Sequence, residues 1–351
     1  MLKMIAIAVF AGYLISAFNI GKRKGLSFLI YPLSCVHTPL VSNIERNGDL
    51  QPLNKLPKIT SVYVAGYDND EPVYWKNGKE YMLPANIGGE VKAIAISGKD
   101  LYFAGTDADK PVYWKNGIEH RLPIADSSHA SINTVTVSGS NTFFAGSDGY
   151  KPVYWKNGSE ITLPSNMSNG EVNTSAVSNG DIYFAGLDGK KPVFWKNGVE
   201  HSLTTFTLQH NGLYMMAVAG KNKYFAGRDG DGLVYWKNGK EFIISAKDED
   251  AEIYAMAVSG ENLYFAGTDN LDEAVFWKNG KEYNLTSTNE GHIRNNGSAN
   301  YAIALAENDI YFAGRKEGMP VYWKNGKVFK LETLHQQPDE AHPFAMLVVK
   351  R

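Results

Sequence analysis

Trp114-Lys115-Asn116-Gly117 is one of seven copies of the same tetrapeptide. The other copies begin at Trp75, Trp155, Trp195, Trp236, Trp277 and Trp323, which accounts for every tryptophan in the 351 residues. Successive spacings are 39, 41, 40, 41, 41 and 46 residues. A period near 40 marks a supersecondary unit that cannot bury its apolar surface alone and must stack on its neighbours.

Working outward from Trp114 defines that unit. Residues 91–97 (VKAIAIS) are a β-rich run, strand A, followed by a turn at Gly98, Lys99 and Asp100. Residues 101–105 (LYFAG) form strand B, 106–110 a polar loop, 111–115 (PVYWK) strand C and 118–122 strand D. Asn116-Gly117 between the last two is a hairpin signal, because a type I′ turn needs two residues that tolerate positive φ. A two-residue loop also sets the register, placing Trp114 opposite Glu119 and Tyr113 opposite His120. No sustained 3.6-residue period competes. Strands A and B are apolar on both faces, as a sheet covered on both sides requires.

The ends of the repeat region are the most specific signal. The first unit begins at strand B, residues 62–66 (VYVAG), because Leu56-Pro57-Lys58 leaves no strand A before it. The chain finishes with 344–350 (FAMLVVK), which matches strand A and has no strand B after it. Seven A strands, starting near Val91, Ile132, Val172, Leu213, Ile253, Tyr301 and Phe344, serve seven B–C–D triplets. The predicted fold is therefore all-β: a seven-bladed β-propeller of four-stranded antiparallel blades, closed when the C-terminal strand completes the first blade. Closure removes the exposed sheet edges of an open array.

From Val62 to Lys350 the chain resembles repeat-rich bacterial surface or exported propellers with Tyr-Trp-Lys-Asn-Gly blades. That resemblance implies the fold and brings no activity, since none is assigned to the group. Trp-Asp endings and recurrent kelch Gly-Gly pairs are missing. Ser147-Asp148-Gly149 departs from an Asp-box because Trp155 lies too far along.

Composition narrows the partners. Lys plus Arg total 35 against 37 Asp plus Glu, a formal net charge of −2, which argues against nucleic acid. One cysteine, Cys35, rules out a disulfide framework and a Cys-based zinc site. Residues 1–35 read as a signal or anchor segment, 36–58 as a polar tether and 59–351 as the propeller. Residues 5–20 are uncharged but short for a membrane span, and Ser16-Ala17 offers a cleavage site. A second arrangement runs from Lys22-Arg23-Lys24 through apolar 26–33 to Ser34-Cys35. It resembles a lipoprotein signal with Cys35 as the lipidated residue, departing from the pattern at Pro32. Either implies export to the periplasm, cell surface or medium, with the membrane reached only through the N-terminal signal or lipid. The other reading is a cytosolic protein whose apolar tail packs on the propeller.

In propellers the D–A and B–C loops share one rim. The D–A loops here vary, and 286–300 is the strongest single patch, with Glu290, His292, Arg294, Asn295 and Asn296. The B–C loops bring an acidic ring of Asp68, Asp107, Asp148, Asp188, Asp229 and Asp269, with Lys316 at the seventh place. The ring either attracts a cationic ligand or caps backbone N–H groups of its own loops. No unit carries a complete calcium loop. The seven lysines of Trp-Lys-Asn-Gly face Glu80, Glu119, Glu160, Glu200, Glu241 and Glu282 two residues beyond the glycine, which should neutralise that rim. The tryptophans recur at one strand position and are expected to pack between blades.

Catalytic residues are not assigned: no Gly-x-Ser-x-Gly, Walker loop, dinucleotide fingerprint or His-Glu-x-x-His occurs. His120 and His201 occupy a strand D place held elsewhere by Tyr81, Ile161, Phe242, Tyr283 and Phe329, so they read as outer-strand fillers. His129, His210, His292, His335 and His342 fall in or beside D–A loops, a scatter expected without function, and neither metal nor cofactor is assigned. The favoured function is a non-catalytic, monomeric binding module that presents its D–A rim to a glycan, peptide or protein. A glycan-directed or other enzyme with a site at the axial mouth, and a purely structural or adhesion repeat, are the alternatives.

Overall fold

The computed structural model describes residues 60–125, 129–167, 169–203, 212–229, 232–245, 250–271, 273–285, 298–335 and 340–350, with the backbone of Ile7–Phe10 and Leu29–Ile30. Seven antiparallel sheets, each with strands A to D in order, follow one another around the ring. The second blade is typical: Gly89–Ser97, Asp100–Asp107, Lys110–Lys115 and Ile118–Arg121. Closure is as predicted. Ala341–Lys350 pairs along Thr60–Asp68, from Thr60 opposite Lys350 to Asp68 opposite Ala341. The first blade is thus assembled from both ends of the repeat region.

The hairpin register also holds, with Trp114 opposite Glu119 and Tyr113 opposite His120. Asn116 and Gly117 turn at φ 52° and 83°. Asn116 has a second duty, because its Oδ1 accepts the Leu101 N–H at 2.9 Å and so closes the free start of strand B. The B–C connection differs from the predicted polar loop. Strand B runs on to Asp107, and Ala108-Asp109 forms a second tight turn at φ 50° and 61°. Ala108-Asp109 is none of the Asn-Gly, Asp-Gly or Gly-Gly pairs that signal such a turn, and Ala108 occupies a left-handed position that alanine enters at a cost.

Strand C uses its two faces for two neighbours. Tyr113 stacks on His120 of its own blade at 4.7 Å and on Phe144 of the next blade at 4.5 Å. Phe194 does the same with His201 at 4.7 Å and Phe225 at 5.2 Å, so both strand D histidines act as ring fillers. On the opposite face Trp114 is fully buried and donates its indole N–H to the Pro84 carbonyl at 2.7 Å, in the loop arriving from the previous blade. All seven tryptophans are buried, as inter-blade packing requires.

Strand A carries a β-bulge near its start in every blade. The residues left out of the ladders are Lys92, Asn133, Asn173, Tyr214, Tyr254, Tyr301 and Phe344. A bulge bends the strand and re-aims one side chain. It also pushes a carbonyl toward strand B, and a Cβ on Gly105 would lie 1.9 Å from the Glu90 oxygen. The same approach, 1.9–2.1 Å, recurs at Gly66, Gly146, Gly186, Gly267 and Gly314. The glycine of Ala-Gly-x-Asp is required by the bulge.

On the inner edge of the sixth blade, Ile7–Phe10 runs antiparallel to Glu252–Ser259, with Ile7 opposite Val258 and Phe10 opposite Ala255. Leu29–Ile30 pairs with Ile7–Phe10 in turn.

Candidate functional site

At the rim where the D–A loops meet the ends of strand B, each aspartate of the acidic ring is placed by the end of its strand. Asp68, Asp107, Asp148, Asp188 and Asp269 are buried and Asp229 is half-buried. They do not all cap their own loops. Asp107 accepts the Asn86 N–H at 2.8 Å, the Asn86 side-chain amide at 2.6 Å and the Ile87 N–H at 3.2 Å, all from the D–A loop. Asp188 likewise holds the Ser165 hydroxyl at 2.5 Å and the Asn166 and Met167 N–H groups at 3.0 Å. Asp148 accepts the Ala125 N–H at 2.5 Å. Asp269 instead caps its own B–C turn, accepting the Leu271 and Glu273 N–H groups at 2.9 Å. Burial opposes ionisation of Asp107 and Asp188, but these donors outweigh it and hold both carboxyls below the ordinary range.

The glutamates expected to neutralise the lysine rim sit instead beside this aspartate ring. Cross-strand partners share a face, so the Trp114–Glu119 register puts Glu119 on the tryptophan side and Lys115 on the other. Burial first, and the neighbouring aspartate second, raise the carboxyls of Glu119, Glu160 and Glu200. The lysines find other partners. Lys115 meets Asp100 at 2.8 Å and Lys196 meets Asp181 at 2.7 Å, both in A–B turns. Each also lies over a strand B ring, Tyr102 at 5.5 Å and Tyr183 at 5.8 Å.

The first blade departs from this scheme. Leu334 N–H goes to Glu80 Oε2 at 3.1 Å rather than to the aspartate, and Asp68 Oδ2 is met by His335 Nδ1 at 3.0 Å. Glu80 is pushed up to about 7, by burial first and by the Asp68 charge second.

The bulged residues form a second ring on the innermost strands, just inside this rim. Contacts between successive blades trace it. Over the sixth, seventh and first blades the ring is aromatic: Tyr254 meets Tyr301 edge-on at 5.3 Å, and Tyr301 meets Phe344 at 5.9 Å. Tyr67 adds to it, stacking on His342 at 4.9 Å and meeting Phe344 at 5.3 Å. Over the second to fourth blades the ring is polar. Lys92 lies 3.4 Å from Glu90. Asn133 donates to Glu171 Oε1 at 2.6 Å and to the Val172 carbonyl at 2.9 Å, and Ser131 reaches the same Glu171 oxygen at 3.1 Å. Burial raises the Glu171 carboxyl despite the bonds from Asn133 and Ser131.

The D–A and B–C loop sequences carry no trace of this bulge ring. The signal lay in strand A itself: one position of a nearly constant repeat holds Lys, Asn, Asn, Tyr, Tyr, Tyr and Phe in turn. Of the residues singled out earlier, Glu290, His292, Arg294, Asn295, Asn296 and Cys35 lie outside the described residues, as does His210.

Neither a protein-family model nor a curated protein sequence matches the chain. Among solved structures it is similar to the computationally designed Ika8 protein, with 14% identity over 83% of this chain and 91% of that one and a TM-score of 0.48. A nidogen/laminin complex matches at 11% identity over 82% and 98%, with a TM-score of 0.41. A putative 6-phosphogluconolactonase from Bacteroides fragilis matches at 12% identity over 85% and 100%, with a TM-score of 0.43.

Proposed function

We propose that the protein is a non-catalytic binding module whose recognition surface is the bulge ring at the D–A mouth, and that its ligand is a carbohydrate. The observation that carries this reading is the division of the ring into an aromatic arc, where half-buried Tyr67 and Tyr301 are braced by buried Tyr254 and Phe344, and a polar arc, where half-buried Lys92 and Glu171 are braced by buried Asn133. A pyranose has an apolar C–H face and an equator of hydroxyls. The aromatic arc matches the first and the amide and carboxylate groups match the second. The variable D–A loops, including 286–300 with Glu290, His292, Arg294, Asn295 and Asn296, would extend the surface and set which sugar fits. Export through the N-terminal segment belongs to the same proposal, with the mass of the mature N-terminus and of any lipid on Cys35 as its check.

The test is a glycan array probed with the full-length chain, alongside Tyr301→Ala and Lys92→Gln. Binding to a defined glycan class, weakened at least tenfold by each substitution at unchanged melting temperature, supports the reading. A blank array, or binding indifferent to both substitutions, overturns it. Release of new reducing ends from a bound glycan would make the mouth an active site instead.

A further inference from the structure

We infer that Asp68, Glu80 and His335 form a binding site for one divalent transition-metal ion of the zinc class, at the seam where the ring closes. Their donor atoms lie within 4.8 Å of one another, with Asp68 fully buried and Glu80 4% exposed. Asp68 Oδ1 and Glu80 Oε1 are both buried and have no hydrogen-bond partner. Two buried carboxylates this close together, each with an oxygen that lacks a partner, need a cation or a proton between them.

The other blades serve as internal controls. The aspartate–glutamate pair recurs as Asp107 with Glu119, Asp148 with Glu160 and Asp188 with Glu200, and in the second and fourth blades the residues opposite His335 are Ile87 and Met167. There the D–A loop saturates the aspartate, with three donors on Asp107 and three on Asp188. In the first blade an imidazole replaces those N–H groups, and an unpaired lone pair remains on each carboxylate. The ring therefore differs at this one place in a way that adds a ligand and removes donors.

The donor set selects the ion. Two carboxylates and one neutral imidazole neutralise a doubly charged ion, and one nitrogen with two oxygens suits zinc with a fourth place for water. Calcium wants six to eight oxygens and is disfavoured. Tetrahedral coordination at about 2.0–2.2 Å brings donors to about 3.4 Å apart, so the widest pair closes by at most about 1.4 Å from its 4.8 Å limit. Asp68 and Glu80 belong to strands B and D of the first blade, and His335 to the loop leading into the closing strand. A bound ion ties those two regions, 255 and 267 residues apart in the chain, into one cluster.

Untagged full-length protein is stripped with EDTA, desalted and titrated with zinc chloride, with metal content after dialysis and melting temperature as readouts. One zinc retained per chain and a melting temperature raised by about 5 °C at hundredfold excess over Kd are the expected results. His335→Ala should lose zinc retention and the zinc-induced rise. Its metal-free melting temperature falls because the buried Asp68 loses its Nδ1 partner, so retained zinc and the change on adding zinc are the deciding readouts. Glu119→Gln, in the equivalent cluster of the second blade, should keep both. No retained zinc, or equal retention by His335→Ala, overturns the proposal. So does a wild type indifferent to zinc whose Glu80→Gln variant melts higher, since that is the signature of two carboxyls sharing a proton. None of these outcomes bears on the glycan array.

Discussion

Trp75 donates its indole N–H to the backbone carbonyl of Glu332 at 2.5 Å, across the junction where the last blade meets the first. Trp114, Trp155 and Trp195 repeat the bond to Pro84, Pro123 and Pro164 at 2.7–2.8 Å. The indole thus packs and latches at once. Trp75→Phe keeps most of the buried volume but strands the carbonyl, and should cost about 1–3 kcal/mol. Trp75→Ala adds a cavity and should cost about 3–5 kcal/mol. Urea unfolding of both variants measures the difference, and equal losses would assign the whole effect to packing.

Deleting 341–351 removes strand A of the first blade and leaves the inner edge of Thr60–Asp68 unpaired. Single cooperative thermal unfolding should be lost, with aggregation through the new edge. Calorimetry and light scattering check this together.

Gly105 faces the Glu90 carbonyl, and a Cβ there would sit 1.9 Å away. Gly105→Ala must therefore shift one backbone or the other and should cost about 1–3 kcal/mol. Gly117→Ala, with open space around it but φ at 83°, should cost less, about 1 kcal/mol. The ordering of the two denaturation midpoints is the test.

Ala108 holds φ 50° at the B–C turn of the second blade. Ala108→Gly relieves that conformation at the expense of a more flexible unfolded chain, and should stabilise by about 0.5–1 kcal/mol. A rise in melting temperature is the expected readout.

His342 is lowered from 6.5 to about 4, by burial first and by Arg315 second, whose Nη1 lies 3.1 Å from Nε2. Its folded form resists a proton that the unfolded chain accepts. Stability from this group is therefore complete above pH 6.5 and falls as the pH drops toward 4, by up to about 3 kcal/mol. His342→Gln should flatten the stability profile across that window, while above pH 7 the loss of its stacking on Tyr67 lowers stability by an amount that does not vary with pH.

The ring, its closure and the hairpin registers were legible because each rests on local chemistry repeated seven times. Asn-Gly at one spacing, alternating apolar residues and an orphan strand at 344–350 each have one physical reading. Spacing alone puts the glutamates on the lysine rim; the Trp114–Glu119 register corrects this, because residues paired across a ladder with tryptophan cannot lie on the lysine face. The bulges were not legible, because an extra residue in strand A changes neither its composition nor its alternation enough to show. With the bulges hidden, the role of Gly105 was hidden as well, and the varying position that holds Tyr254, Tyr301 and Phe344 was visible without its place at the mouth. The Asp68–Glu80–His335 cluster joins residues more than 250 positions apart, and only closure brings them together.

Thr60–Asp68 enters the ring between two partners, Ala341–Lys350 on one side and Glu71–Lys76 on the other. Tension applied to the chain ahead of Thr60 would be borne in shear by two ladders loaded simultaneously along their length. Peeling one bond at a time is the weaker geometry, and the seating of this strand avoids it. A pull applied just ahead of Thr60 would be shared by both ladders of the first blade at once.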